Sequence, residues 1–391
     1  MGTKDHINEI YIARAIAIIG VLMVHSTSHV VVSLNSGSSF YFFYNVLNVF
    51  FKFGTPTFIL LSSFVLFYNY YSRPLNRQLI WSFYKNRLLY ILIPYFIFSL
   101  IYFSIKVYPQ WMELSKGEIF GTFLADLLKG KAWTHLYFVF ISIQFYVLFP
   151  LLLLLFKRSS FVVKNAIWIG FVAQWIFVLY NHYNVITTQT GSIAIKYMSY
   201  YFLGAYLGIH YDRLKNIIVV TKDKFFSKIG VYWIALWLIW LVSAFGHSYL
   251  WYWTRLHGTY VDTKLYELLW NIHTITSAIV IIQFSHWIYS TLAPKITNIA
   301  IHLGIVSFGV YLIHPLFLHY YRMIPVNGNP FILHSWVGIG FITALGTSWV
   351  VVGLCMKYFS WSWVLFGANV KRNPYKSQLS NTFSSTYDHK V

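Results

Sequence analysis

Two residues in the first apolar segment, Arg14 and His25, carry side chains that an apolar environment does not welcome. They lie eleven residues apart, which in an α-helix is about 1100°, just over three turns. Both side chains therefore share one face, separated by about 16 Å along the axis. An ionisable group at membrane depth is expensive and is a functional candidate by default. A guanidinium suits forked recognition of phosphate, and an imidazole deep in a cavity suits proton transfer near neutral pH. If the segment enters from the cytoplasm, Arg14 sits at the cytoplasmic mouth and His25 beyond the midplane. The pantetheine arm of an acyl-CoA is comparable in length to that separation. The nucleotide phosphates of such a donor would rest by Arg14 while its thioester reaches His25, acting as general base. The alternative is a snorkelling arginine and a histidine hydrogen-bonded to a neighbouring helix, and the pair alone leaves both open.

Two further histidines fall toward the same outer half: His135 at the start of a later apolar run, and His314 about 21 Å into another. Each fits a substrate contact as well as a structural hydrogen bond. His247, His257, His302, His319 and His334 are placed in loops or near span ends, and His286 lies mid-span with no evident partner. Ser62 and Ser63 have the hydroxyls of nucleophiles, but serines on membrane helices usually serve packing and interhelical bonds. Lys52, Lys106, Lys196 and Lys357 are the remaining cations within apolar runs, all near span ends, where snorkelling explains them. Arg73, Arg77, Lys85 and Arg87 form a basic cluster that topology alone would explain. The single cysteine, Cys355, excludes an internal disulfide and a cysteine-rich metal site, and no metal-ligand spacing is present.

The elements that must position these residues follow from composition. Of 391 residues, 58% are hydrophobic, 21% aromatic and only 10% charged. Soluble domains are roughly a quarter charged, so this chain reads as all-α and integral to a lipid bilayer. The net charge of +19 is dispersed between apolar runs, a topology signal rather than a nucleic-acid face. The runs cover residues 10–34, 42–71, 88–107, 134–156, 163–181, 193–210, 230–246, 268–290, 300–321 and 332–357, predicting about ten transmembrane helices. Gly54 and Pro56 predict a break in the second run, and the run at 193–210 is short and contains Lys196. Ten spans place both termini on one side. That side collects 18 Lys and Arg against 6 opposite, so both termini are expected to be cytoplasmic, in the cell membrane. Arg14 interrupts the first segment and no small-residue cleavage site follows, so it reads as a retained span. Residues 1–360 are expected to form one membrane domain and 361–391 a cytoplasmic polar tail.

Several short motifs then occur in a familiar order. Arg14-x10-His25 resembles the first-helix signature of the membrane acyltransferase family 3. Phe53-Gly54-Thr55-Pro56-Thr57-Phe58-Ile59-Leu60-Leu61-Ser62-Ser63 resembles its second-helix segment, with Ser63 where Gly is usual. Arg87-x6-Pro94-Tyr95 resembles its basic entry to the third helix, with Tyr90 where a second arginine is frequent. His135-Leu136-Tyr137-Phe138, followed by Gln144, Tyr146 and Pro150, resembles its H-L-W-F block, with Tyr137 in place of Trp. Tyr201-Phe202-Leu203-Gly204 and Ser307-Phe308-Gly309-Val310-Tyr311-Leu312-Ile313-His314 resemble later blocks. The closest wording is that of proteins handling intercellular-adhesion polysaccharide. The resemblance implies an enzyme moving an acetyl- or succinyl-type group from cytoplasmic acyl-CoA to a hydroxyl of an extracytoplasmic sugar or polysaccharide. It implies His25 as catalytic base, Arg14 and Arg87 on the CoA phosphates, and His135, Tyr137, Tyr311 and His314 lining the acceptor side. No metal or nucleic acid takes part in this reading. A polysaccharide or lipid-linked sugar transporter without acyl chemistry is the alternative. The absence of an intramembrane carboxylate relay and of an inverted repeat weighs against it.

Overall fold

The computed structural model describes residues 6–185, 187, 190–326, 329–367 and 373–377. Among these, all regular structure is helical. In chain order the α-helices are α1 (Glu9–Ser33), α2 (Tyr41–Phe50), α3 (Gly54–Tyr70), α4 (Arg77–Val107), α5 (Lys116–Leu127), α6 (Tyr137–Arg158), α7 (Ser160–Lys164) and α8 (Ala166–Asn184). They continue with α9 (Met198–Ile209), α10 (Tyr211–Ile218), α11 (Lys222–Phe225), α12 (Lys228–His257), α13 (Thr263–Thr291), α14 (Pro294–Tyr321), α15 (Pro330–Tyr358) and α16 (Trp363–Phe366). The expected break at Gly54 is present: a 3₁₀ turn, Phe51–Phe53, separates α2 from α3. The helix ends are marked in the sequence. Asn76, Ser227, Asp262 and Asn329 cap α4, α12, α13 and α15 through their side chains, and Ser115 with Glu118 forms a capping box on α5.

Eight segments among the described residues are long and apolar enough to cross a membrane: Glu9–Ser33, Tyr41–Tyr70, Arg77–Gln110, Tyr137–Arg158, Lys228–His257, Thr263–Thr291, Pro294–Tyr321 and Pro330–Tyr358. The other two expected spans are helices of lesser reach. α8 has 19 residues and ends in the polar run Asn181–Asn184, and α9 has only 12, about 18 Å against a hydrocarbon core of about 30 Å. Protein rather than lipid surrounds α9, which is almost wholly buried between α3 and α8. The buried amides at its N-terminus and in the preceding 3₁₀ turn are satisfied internally. Gln174 of α8 accepts from the Ser199 amide at 3.1 Å, and Gln144 of α6 accepts from the Ala194 amide at 3.0 Å. A broken helix inside a bundle requires such substitutes for water. Packing continues past residue 360, since Phe366 of α16 is buried against α4 and α14.

α1 is the central helix, touching α2, α3, α13, α14 and α15. Its closest contact is with α14 at Gly304, where a Cβ would stand 1.8 Å from the Tyr11 carbonyl oxygen. Backbone rests on backbone there. Overpacking a tight contact costs about 1–3 kcal/mol or more, so Gly304→Ala is expected to lower the melting temperature in detergent and abolish function. Gly246→Ala, whose new methyl meets only Leu269 at 3.7 Å, should change neither. Equal thermal unfolding of the two variants would exclude this contact as the organising one.

Candidate active site

A cavity of about 560 Å³ opens beside α1 between α3, α4, α6 and α14. Arg14 and Arg87 both line it, together with Tyr11, Tyr90 and Tyr146. The arginines are held by aromatic faces rather than carboxylates. The guanidinium carbon of Arg14 lies 5.9 Å from the Tyr11 ring centre, and that of Arg87 lies 5.7 Å from Tyr146. Neither forms an ion pair with a described acidic residue. Two guanidiniums facing one cavity with their forks unspent make a site for phosphate-like anions. Tyr90, the departure from the expected second arginine, faces the same space.

Tyr311 is buried on that wall, and a histidine cluster stands next to it. His25 of α1 lies 5.2 Å from His314 of α14 and 6.4 Å from His135, centre to centre, and His135 lies 5.7 Å from His314. Tyr311 is 5.2 Å from His135 and donates its hydroxyl to the His135 backbone carbonyl. Three residues expected from separate segments are thus brought together. The cluster adjoins the cavity without lining it.

Hydrogen bonds fix the state of two of these rings. His135 Nε2 donates to the Leu312 carbonyl at 3.3 Å, and His314 Nδ1 donates to the Val310 carbonyl at 3.1 Å. A carbonyl only accepts, so each neutral ring keeps its lone pair on the other nitrogen. Those nitrogens, His135 Nδ1 and His314 Nε2, are buried and have no partner among the described residues. The His25 ring is half-buried and makes no hydrogen bond to a described residue. Its helix is fixed instead through the backbone, the Arg322 guanidinium donating to the His25 carbonyl at 2.5 Å. The arrangement offers acceptor nitrogens to incoming hydroxyl groups. Among the described residues no group of three or more His, Cys, Asp or Glu is placed to hold a metal ion.

Tyr137 stands apart. Its hydroxyl lies 3.2 Å from Thr55 Oγ1 of α3, and it lines neither the cavity nor the histidine cluster, whereas the adjacent Phe138 packs on Tyr311 at 5.1 Å. Ser62 and Ser63 are committed to hydrogen bonds, with the Tyr146 hydroxyl at 3.1 Å and the Tyr201 carbonyl at 2.6 Å. Of the stray lysines, Lys106 pairs with Asp126 at 2.8 Å and Lys196 with Glu267 at 3.0 Å.

Several residues escaped the sequence reading. Tyr102 donates to the Leu312 carbonyl at 2.8 Å and stands 5.0 Å from the His135 ring. His286 has a partner after all, Glu9 of α1 at 3.1 Å. His247, expected in a loop or at a span end, is buried inside α12 beside His273. A periodic signal was present: Ser307, Tyr311 and His314 recur at four- and three-residue intervals on one face of α14, and Phe138, Ser142 and Tyr146 recur at four-residue intervals on α6.

The acyltransferase domain family matches residues 7–353. A relative from Staphylococcus aureus (strain MSSA476), named a probable poly-beta-1,6-N-acetyl-D-glucosamine export protein, is 24% identical over 343 residues, covering 84% of this chain and 85% of its own. A relative of the same name from Staphylococcus epidermidis is 24% identical over 398 residues, covering 96% of this chain and 97% of its own. No solved structure matches the chain. Its domain, its apolar helices and the placing of its first-helix arginine and histidine agree: the chain belongs to the membrane acyltransferase family 3 and is a multi-pass acyltransferase.

Proposed function

We propose that the protein moves an acetyl- or succinyl-type group from cytoplasmic acyl-CoA to a hydroxyl of an extracytoplasmic sugar or polysaccharide, as a multi-pass protein of the cell membrane with both termini cytoplasmic. The observation that carries this reading is the single face of α1, which puts Arg14 on a cavity wall with Arg87 and His25 against His135 and His314. α1 is one unbroken helix between them, so the separation is about 16 Å. Arg14 and Arg87 hold the CoA phosphates, and the pantetheine arm runs along the cavity. Neighbouring hydroxyls of the acceptor donate to the free nitrogens of His135 and His314, which orients the reacting hydroxyl toward His25. His25 takes its proton as the oxygen attacks the thioester carbonyl. The carbon–sulfur bond then breaks, the acyl group stays on the sugar oxygen, and the thiolate leaves with a proton returned from His25. Tyr311 lines the acceptor side by holding His135, and Tyr137 braces α6 against α3 through Thr55. A ring free of helix-to-helix hydrogen bonds, as His25 has, suits a base better than a structural histidine.

Export without acyl chemistry is the second reading, favoured by the name of the staphylococcal relatives. The two separate on the donor, since an exporter has no use for acyl-CoA.

The 18-to-6 distribution of basic residues is tested by cysteine labelling in intact cells: positions near 110 and 260 should react with an impermeant reagent and position 220 should not. Reaction at 220 would reverse the topology. Arg14→Lys should weaken acyl-CoA binding, because an ammonium cannot make the forked contact, with little change in expression. An unaltered affinity would remove Arg14 from the donor site. For His25, binding and transfer are measured together on purified proteins with labelled acyl-CoA and candidate glycans. A general base contributes roughly 10²–10⁴-fold in rate. His25→Ala and His25→Gln should therefore both lose transfer yet still bind acyl-CoA through the distant arginines. Full transfer by His25→Gln would sink the mechanism, and absence of acyl-CoA binding by the wild type would favour export.

A further inference from the structure

In the same half of the bundle as His25, the segments α2, α12 and α13 enclose a second polar cluster. The link between the two regions is Asn48, which donates to the Val24 carbonyl of α1 at 3.0 Å. His247 Nδ1 of α12 and His273 Nδ1 of α13 lie 3.2 Å apart, and Trp251 Nε1 donates to His247 Nε2 at 3.2 Å. The indole is a donor only, so His247 Nε2 accepts and the neutral ring carries its proton on Nδ1. That proton is directed at His273 Nδ1, which leaves the His273 proton on Nε2. His273 is fully buried and its Nε2 has no partner among the described residues. The chain of donors ends on a donor that nothing receives, and a buried polar group in that state calls for an acceptor.

Two cations share the same indole. Lys52 Nζ lies 4.8 Å from the Trp251 ring centre and the Arg255 guanidinium carbon 5.2 Å. Arg255 also donates to Asn45 Oδ1 at 2.8 Å and neighbours Tyr41, and both cations are charged neighbours of His247. No described Asp or Glu pairs with either. Both are half-buried, so one side of each remains open to a ligand. Like charges held together without a counter-charge are costly, and Lys52, in the turn between α2 and α3, has only the Trp251 ring as a partner among the described residues. The unspent groups are two cations, the His273 N–H and the Ser248 hydroxyl, all able to donate. The complement is an anion rich in acceptor oxygens.

We propose that Lys52, Arg255 and the His247–His273 pair form a phosphate-group site distinct from the Arg14–Arg87 cavity, filled by the headgroup phosphate of an anionic lipid or by free phosphate. The proposal is independent of the acyl-transfer mechanism. Purified protein is titrated with phosphatidylglycerol in native mass spectrometry and, separately, with inorganic phosphate in thermal unfolding. The comparison is with the double variant Lys52→Met/Arg255→Gln, which removes both charge-assisted contacts and should bind about tenfold more weakly or worse. Lys52→Arg, which keeps the charge, should bind as the wild type does. Loss of phosphatidylglycerol with phosphate silent assigns a lipid headgroup, and loss of stabilisation by phosphate assigns the free ion. Lys52→Gln alone leaves the Arg255–Asn45 bond intact and gives the same comparison should the double variant fail to fold. Wild type binding neither probe, or variants binding both as well as wild type, would overturn the site.

Discussion

The backbone contact between Tyr11 and Gly304 is the constraint on which the rest of the site depends. Helices in lipid gain little from burying apolar area against each other, so they associate where small residues allow close van der Waals approach. Gly304 provides that for α14, and Gly54 does the same for α3, its missing Cβ standing 2.9 Å from the Ala17 carbonyl. With α3 and α14 both pressed onto α1, the face bearing Arg14 and His25 has no freedom to rotate. It meets the α14 face bearing Ser307, Tyr311 and His314, and the cavity is the space left between them and α4 and α6.

Within that frame, polar side chains act mainly on backbone. Arg322 holds the His25 carbonyl, Tyr311 the His135 carbonyl and Tyr102 the Leu312 carbonyl. Pro315 interrupts α14 at this level and has no N–H to give the Tyr311 carbonyl, loosening the ladder where the histidines bind it. The rings of His135 and His314 are thereby oriented without any carboxylate. Neutral carbonyls fix the rings equally well and carry no net charge.

The parts of this arrangement that were legible in the sequence are those set by one helix at a time. Arg14 and His25 share a face because eleven residues close three turns, and Gly54 marks a break because α3 starts on it after the 3₁₀ turn Phe51–Phe53. Contacts between helices distant in sequence were not legible from spacing. Tyr102 and Tyr311 are one tyrosine among 32 each, and only the crossing of α4 and α14 singles out Tyr102. His286 seemed partnerless because its acid, Glu9, belongs to a helix 277 residues away in sequence. Hydropathy overstated α9, since a segment wrapped by protein on all sides needs to be apolar but need not span. Tyr137 was placed with the acceptor by its motif, whereas its hydroxyl is spent on Thr55.

The uninterrupted course of α1 constrains length more tightly than composition. Between Arg14 and His25 the chain is Ala, Ile, Ala, Ile, Ile, Gly, Val, Leu, Met and Val, and most of those positions ask only for a modest apolar volume. Losing or gaining one residue there would swing the imidazole by about 100° and carry it off the shared face. Gaining four would nearly restore the face but add about 6 Å between guanidinium and imidazole. Descendants of this gene can therefore exchange apolar letters along much of that stretch, Gly20 excepted because a Cβ there would stand 2.8 Å from the Phe53 ring, while its count of ten stays fixed, and a single-codon deletion there should be rarer than a conservative apolar substitution.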